Sequence, residues 1–249
     1  MIDHVTKVPG TALGKRLQTS RLFKIAEILF LFVLGFAFIQ LFMPLAGDDP
    51  FFRQLVVAAA NVLMIIYVWA GLKLRGENWK HFGLTFQSIS WSEGLKRFLL
   101  SLLVAALGAA GFLLGSVIMV NITGVPETAD MSGYNYLNGH IGKLLLALAG
   151  VYIASSFGEE VIYRAFLINR ISEIGNNTKK LTVLAIILSS LIFGLVHFAW
   201  GPMGMVQTAF MGLVMGICYV KLKKRLWILI LAHAYLDTTL LVQLYLSNT

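Results

Sequence analysis

Charge is scarce in this 249-residue sequence. Asp, Glu, Lys and Arg make up only 13% of it, against about a quarter in soluble domains. With 58% hydrophobic residues and a mean hydropathy of +0.79, a fold of this length cannot hide its apolar side chains from water. That excludes a water-soluble enzyme and a disordered chain. The single cysteine, Cys218, excludes an internal disulfide and any cysteine-based zinc cluster. There is no His-Glu-x-x-His pair, no Gly-x-Ser-x-Gly elbow, no internal repeat and no low-complexity tract. What is present is apolar sequence in long runs, and the natural solvent for it is a bilayer.

A span takes roughly 20 residues at 1.5 Å rise each. Apolar segments at 24–45, 54–74, 98–121, 143–169, 181–200, 204–221 and 226–246 meet or approach this length. The sequence therefore predicts an all-α, polytopic bundle of about seven spans. It reads as a single membrane-embedded domain over residues 1–249. The run from Ile28 to Ala46 is too long for the apolar part of a signal peptide, so the first segment reads as a retained helix. Position 2 is Ile2, which excludes N-myristoylation there.

The net charge of +8 is a topology signal. With the N-terminus cytoplasmic, all but Arg53, Lys143 and Arg164 of the 20 basic residues fall on cytoplasmic segments, Lys7 among them. The external segments carry Asp48, Asp49, Glu127 and Asp130 instead. This pattern needs no nucleic-acid partner; the expected surroundings are membrane lipid. Tyr134 and Tyr136, in the long external segment 123–142, read as interfacial aromatics, and the stretch 79–91 as a cytoplasmic surface segment. Gly111 with Gly115, and Gly212 with Gly216, are spaced for close helix contacts.

Ionisable groups within spans are the informative residues, since each costs about 2.5–3.5 kcal/mol on insertion scales at a helix centre. They are concentrated in the second half: Glu159, Glu160 and Arg164 in the fourth segment, His197 in the fifth, His233 and Asp237 in the seventh. Residues four apart share a helix face, while neighbours diverge by about 100°. Glu160 and Arg164 therefore read as a buried ion pair, with Glu159 stacked over Tyr163 and free to face a cavity. Asp237 is spaced to orient His233. His197 follows Phe193 by four residues. A carboxylate with two imidazoles can hold a divalent metal with an open position, or can activate water directly while the imidazoles stabilise an oxyanion. A proton-coupled transporter or a non-catalytic scaffold would also bury such groups, although no inverted repeat is evident.

Three short motifs then stand in order: Glu159-Glu160-Val161-Ile162-Tyr163-Arg164 (EExxxR), Phe193-Gly194-Leu195-Val196-His197 (FxxxH) and His233-Ala234-Tyr235-Leu236-Asp237 (HxxxN/D). Together they resemble the CAAX prenyl protease and bacteriocin-processing (CPBP, Abi-like) family of intramembrane proteases. The resemblance covers about residues 143–240. It implies a catalytic core there and an endopeptidase acting on a peptide or protein, prenylated in the CAAX type, or in bacteriocin maturation or self-immunity. It further implies a multi-pass protein of the plasma membrane, a bacterial inner membrane. Glu159 would activate water. Glu160, His197, His233 and Asp237 would complete the catalytic set, supported by Tyr163, Arg164 and Phe193. Any metal, zinc being the natural choice, would be held by Glu159, His197 and His233. Asp237 stands where prenyl-protein proteases have asparagine, and an ionised aspartate cannot donate to an oxyanion.

Depth poses a difficulty. At 1.5 Å per residue Glu159 lies about 16 Å from Arg170 and His233 about 12 Å from Arg225, but His197 lies about 25 Å from Lys180. A fifth helix that begins well inside the cytoplasm would reconcile the three. The depths of Glu159 and His233 favour a mouth on the cytoplasmic side.

Overall fold

The computed structural model describes residues 11–85, 88–124 and 128–247. Ile2, Lys7 and Glu127, used in the topology argument, lie outside them. The described residues are helical with no strand. In chain order the helices are α1 (Ala12–Thr19), α2 (Arg21–Ala46), α3 (Pro50–Arg75), α4 (Trp91–Thr123), α5 (Ile141–Val151), α6 (Ile168–Ile174), α7 (Lys179–Leu195), α8 (Gly201–Lys221) and α9 (Leu226–Ser247). Two π-helical stretches, Tyr152–Phe157 and Glu160–Leu167, join α5 to α6 in one continuous rod.

Among the described residues six helices are long and apolar enough to cross a membrane. The expected segment missing from these six is the fifth, α7, whose 17 residues stop short of His197. The glycine-rich segment at 204–221, the shortest from sequence, is the sound one: it forms all but the first residues of the 21-residue α8. Local chemistry sets these limits. Asp49 caps α3 by accepting from the Phe51 and Phe52 amides, and Pro50 occupies its first turn. After α7 the chain makes a short 3-10 turn, Phe198–Trp200, and Gly201, at φ +73°, with Pro202 starts α8.

Both glycine pairs serve contacts within the chain. A Cβ on Gly111 or Gly115 would lie within 3 Å of α8 atoms, the Phe210 carbonyl at 2.9 Å and the Gln207 Cα at 2.8 Å. Gly212 and Gly216 face Phe193 and Ile186 of α7. The backbones of α4, α7 and α8 thus approach closely, as small residues permit in lipid.

The cytoplasmic end is closed. The loop after α3 tucks Phe82 and Leu84 fully into the bundle, and Trp79 packs on Phe82 and Phe157. Among the described residues of 79–91, Lys80, His81, Ile89 and Trp91 are exposed, Trp91 the most widely of the apolar side chains. The aromatics of the expected surface segment divide: Phe82 and Trp79 plug the bundle, where the Trp227 indole donates to the Thr85 carbonyl, while Trp91 lies at the surface. Beside the plug, Arg75 and Arg170 are buried among Glu27, Glu77 and Glu173.

The α6–α7 hairpin reaches beyond the α8–α9 turn. Lys224, in that turn, donates to the Asn169 side-chain carbonyl at 2.6 Å, and Tyr219 shares the same asparagine. From Asn169, α6 continues five residues to Ile174, about 7.5 Å further. The chain thus extends past Asn169 through α6 before α7 begins at Lys179.

Candidate active site

The site forms where the π-helical part of the fourth segment meets α7 and α9. A π-helix bonds i to i+5 and so turns by less per residue than the 100° of an α-helix. Glu159 and Glu160, expected on diverging faces, both reach His233. Glu160 Oε1 lies 2.8 Å from His233 Nδ1, and Glu159 Oε2 lies 3.8 Å from His233 Nε2. Asp237 Oδ1 is 3.7 Å from that same Nε2. Three carboxylates therefore surround one imidazole.

The partners differ from those expected by spacing. Glu160, not Asp237, fixes the His233 ring. Asp237 is held in turn by Ser156, whose hydroxyl donates to Oδ2 at 2.7 Å. Ser155 lies beside Glu159 and Asp237. Glu160 keeps its ion pair with Arg164, 3.4 Å from Nε, but the contact is not aligned as a hydrogen bond. The Arg164 guanidinium lies over the Phe193 ring at 4.2 Å instead. Tyr163 packs between Phe193 and Phe32, within electrostatic reach of Glu159.

His197 joins the site through Phe193. Its ring meets Phe193 edge-on at 4.8 Å, and Phe193 meets His233 at 6.3 Å. His197 Nδ1 lies 2.7 Å from the Phe193 carbonyl, which can only accept, so Nδ1 carries the hydrogen and Nε2 keeps its lone pair. His197 stands within electrostatic reach of His233 and Asp237. The α6–α7 hairpin sets this register: the Ser189 hydroxyl donates to the Tyr163 carbonyl at 2.6 Å, which levels Phe193 with Glu160.

Burial is graded. The side chains of Glu160 and His233 are 0% and 3% exposed, whereas Glu159 and Asp237 keep 13% and 17%. Glu159 Oε2, Glu160 Oε2 and all three Arg164 side-chain nitrogens are buried without a hydrogen-bond partner. Orphans in such density call for water, since buried polar groups are otherwise satisfied. A zinc site needs three or more converging donors. Among the described residues no three His, Cys, Asp or Glu side chains converge in that way. His233 directs Nδ1 to Glu160, and His197 directs Nδ1 to a backbone carbonyl. Both bonds leave Nε2 free, which is the usual disposition of a metal-binding histidine.

Two contributors had little sequence signal. Ser156 is one of many serines in apolar helices, and only the fold pairs it with Asp237. Tyr134, read as an interfacial aromatic, stacks against Trp200 at 6.3 Å, and Trp200 against His197 at 4.9 Å. Tyr136 donates to Gln54 at 2.7 Å. Both tyrosines belong to a 3-10 turn, Ser132–Leu137, that folds back over the bundle because Leu137 is fully buried against Leu144, Ala147 and Leu241.

Residues 141–239 match the family model described as Type II CAAX prenyl endopeptidase Rce1-like. The match takes in every residue of the site except Tyr134. No curated protein and no solved structure matches the chain.

Proposed function

We propose that the protein hydrolyses peptide bonds inside the membrane with water activated by Glu159. The observation that carries this reading is Glu159 itself: a buried carboxylate with an unpartnered oxygen, 3.8 Å from His233 Nε2, within the matched segment. Glu159 takes a proton from water. The hydroxyl oxygen bonds to the scissile carbonyl carbon, and the C=O electron pair moves onto oxygen. His233, as an imidazolium held by Glu160, presents Nε2–H to that oxyanion. Collapse breaks the C–N bond, and the proton held by Glu159 passes to the departing nitrogen. His197, with Nε2 as acceptor, steadies the attacking water. Asp237, anchored by Ser156, sets the field around His233 Nε2. The substrate is a membrane-associated peptide or protein, bacteriocin precursors being one such class, and the enzyme works in the plasma membrane.

Purified protein, a peptide library and metal analysis test the proposal together. Cleavage by the wild type and its absence in Glu159→Ala, with both proteins folded, is the expected result. Full activity in Glu159→Ala defeats it. Loss of cleavage on chelation, restored by zinc, would move water activation from the carboxylate to a metal.

A further inference from the structure

Helix α1 precedes the first span and is locked to the end of α3. Ser20, with an extended backbone, breaks it from α2. The Thr11 amide and hydroxyl both donate to the Leu74 carbonyl, and the Gln18 side chain donates to the Arg75 carbonyl at 2.7 Å. Gly14 sits so near α3 that a Cβ there would lie 1.7 Å from the Leu74 carbonyl oxygen. Leu17 is buried beside it, while Lys15 and Arg16 face outward. The helix is thus a fixed amphipathic element at the cytoplasmic surface, the side to which the basic residues assign it.

Between α1, α2 and α3 lies a groove of about 300 Å³. That is the low end of ligand-sized cavities, room for a chain but not for a folded partner. Leu13 and Leu17 of α1, Phe23 and Phe30 of α2, and Tyr67 and Leu74 of α3 wall it. Its one acid, Glu27, is already committed to Arg75 and Arg170, and the Tyr67 hydroxyl donates to the Glu27 carbonyl. The groove therefore offers hydrocarbon to an occupant. Its rim offers positive charge. The Arg16 guanidinium stands over the Phe23 ring at 5.7 Å, on a groove wall. Lys15 is its neighbour, Arg21 opens α2, and Lys73 adjoins Leu74. All four are exposed, and none forms a salt bridge with a described residue. Arg97 and Arg225, by contrast, share Glu93.

We infer that this groove holds an anionic phospholipid of the cytoplasmic leaflet, one acyl chain against Phe23 and Phe30 and the phosphate on Lys15 and Arg16. Apolar walls beneath unpaired cations complement that molecule: the chain leaves no polar group to satisfy, and the headgroup supplies the missing counter-charge. The occupant also covers Glu27, whose pairs with Arg75 and Arg170 tie α2 to α3 and α6. A lipid that binds only the folded arrangement stabilises it. The site lies outside the segment that carries Glu159 and His233, and it stands whether or not the protein cleaves peptides.

Full-length protein stripped of lipid in detergent tests this, titrated with phosphatidylglycerol and with phosphatidylcholine of the same acyl chains. Native mass spectrometry counts bound lipid, and thermal unfolding is followed on the same samples. Phosphatidylglycerol is expected to be retained in preference and to raise Tm more than phosphatidylcholine does. In the double variant Lys15→Gln, Arg16→Gln, its affinity is expected to fall about five-fold for each charge removed, with the lipid-free Tm unaltered because both side chains are exposed. The pair Lys221→Gln, Lys223→Gln, on the same side of the membrane, is expected to keep the wild-type preference. Ala70→Phe fills the groove and is expected to abolish it, with Ala26→Phe as the second position should the first fail to fold. Equal retention of the two lipids, an unchanged preference in the Lys15 and Arg16 variant, or an equal loss in the Lys221 and Lys223 variant overturns the inference. Glycerol phosphate, the headgroup without chains, overturns it by raising Tm as far as the lipid does. A dimer that retains no lipid gives the groove to a second copy and overturns it too.

Discussion

Glu160 and His233, 73 positions apart in the chain, are joined by a 2.8 Å hydrogen bond in the middle of the bundle, and Arg164 leans on the same carboxylate. Glu160 therefore serves two buried partners at once. Replacing it with alanine strands the Arg164 charge in a dry interior, where breaking such a pair costs about 3–5 kcal/mol. Glu160→Ala is expected to lower the melting temperature sharply in detergent and to abolish cleavage. Glu160→Gln keeps an acceptor for His233 Nδ1 and is expected to melt between the two. Thermal unfolding of the three proteins side by side checks the order.

Glu159 differs because it makes no hydrogen bond to His233 and no ion pair with Arg164, its Oε2 standing 3.8 Å from His233 Nε2. Glu159→Gln removes the base and little else. Cleavage is expected to fall by about 10²–10⁴-fold, the usual contribution of a positioned base, with an unchanged melting temperature. A fall in stability comparable to that of Glu160→Ala would mark Glu159 as structural instead.

The cytoplasmic lattice is a separate unit. Glu27, 4% exposed, contacts both Arg75 and Arg170 and ties α2 to α3 and α6. Glu27→Ala leaves two buried guanidinium groups short of a partner, at a cost of about 3–5 kcal/mol. Because this cluster lies away from the chemistry, protein that remains folded is expected to cleave at an unaltered kcat. Melting curves and initial rates on the same sample separate the two effects.

The architecture and the membership of the site were legible because apolar runs, basic flanks and buried charges each have a direct cost in lipid. Residues Glu159, His233 and Asp237 stood out for that reason alone. Their pairing was not legible. An α-helical period was assumed through 152–167, and the π-helical turns there rotate Glu160 onto His233 and leave Asp237 to Ser156. Nothing in the local residues announces an i to i+5 bond. The inward turn Ser132–Leu137 is not legible either, because Tyr134 and Tyr136 read alike from composition and only the burial of Leu137 folds them inward.

Close packing of α4 on α8 gives a prediction about assembly. A side chain at Gly115 would meet the Gln207 Cα at 2.8 Å and the Val206 carbonyl at 3.0 Å, both backbone atoms that cannot swing aside. Gly115→Val is expected to cost about 1–3 kcal/mol, typical of overpacking. It should do so without altering the oligomeric state, since this face is already occupied within the chain. Melting and sizing in detergent check both parts.

Asp237 separates charge from hydrogen bonding. Its Oδ2 accepts from the Ser156 hydroxyl and its Oδ1 stands 3.7 Å from His233 Nε2. An asparagine keeps the carbonyl for Ser156 and turns an N–H₂ donor toward the place where the oxyanion forms, the arrangement the resembled prenyl-protein proteases have. Asp237→Asn is thus expected to fold normally and to retain cleavage. Asp237→Ala loses both functions, and its kcat is expected to fall further than that of Ser156→Ala, which forfeits one hydrogen bond worth about 1 kcal/mol. Steady-state rates for the three variants decide the matter. If Asp237→Asn is as inactive as Asp237→Ala, the negative charge beside His233 is what the reaction uses, and the oxyanion rests on the imidazolium alone.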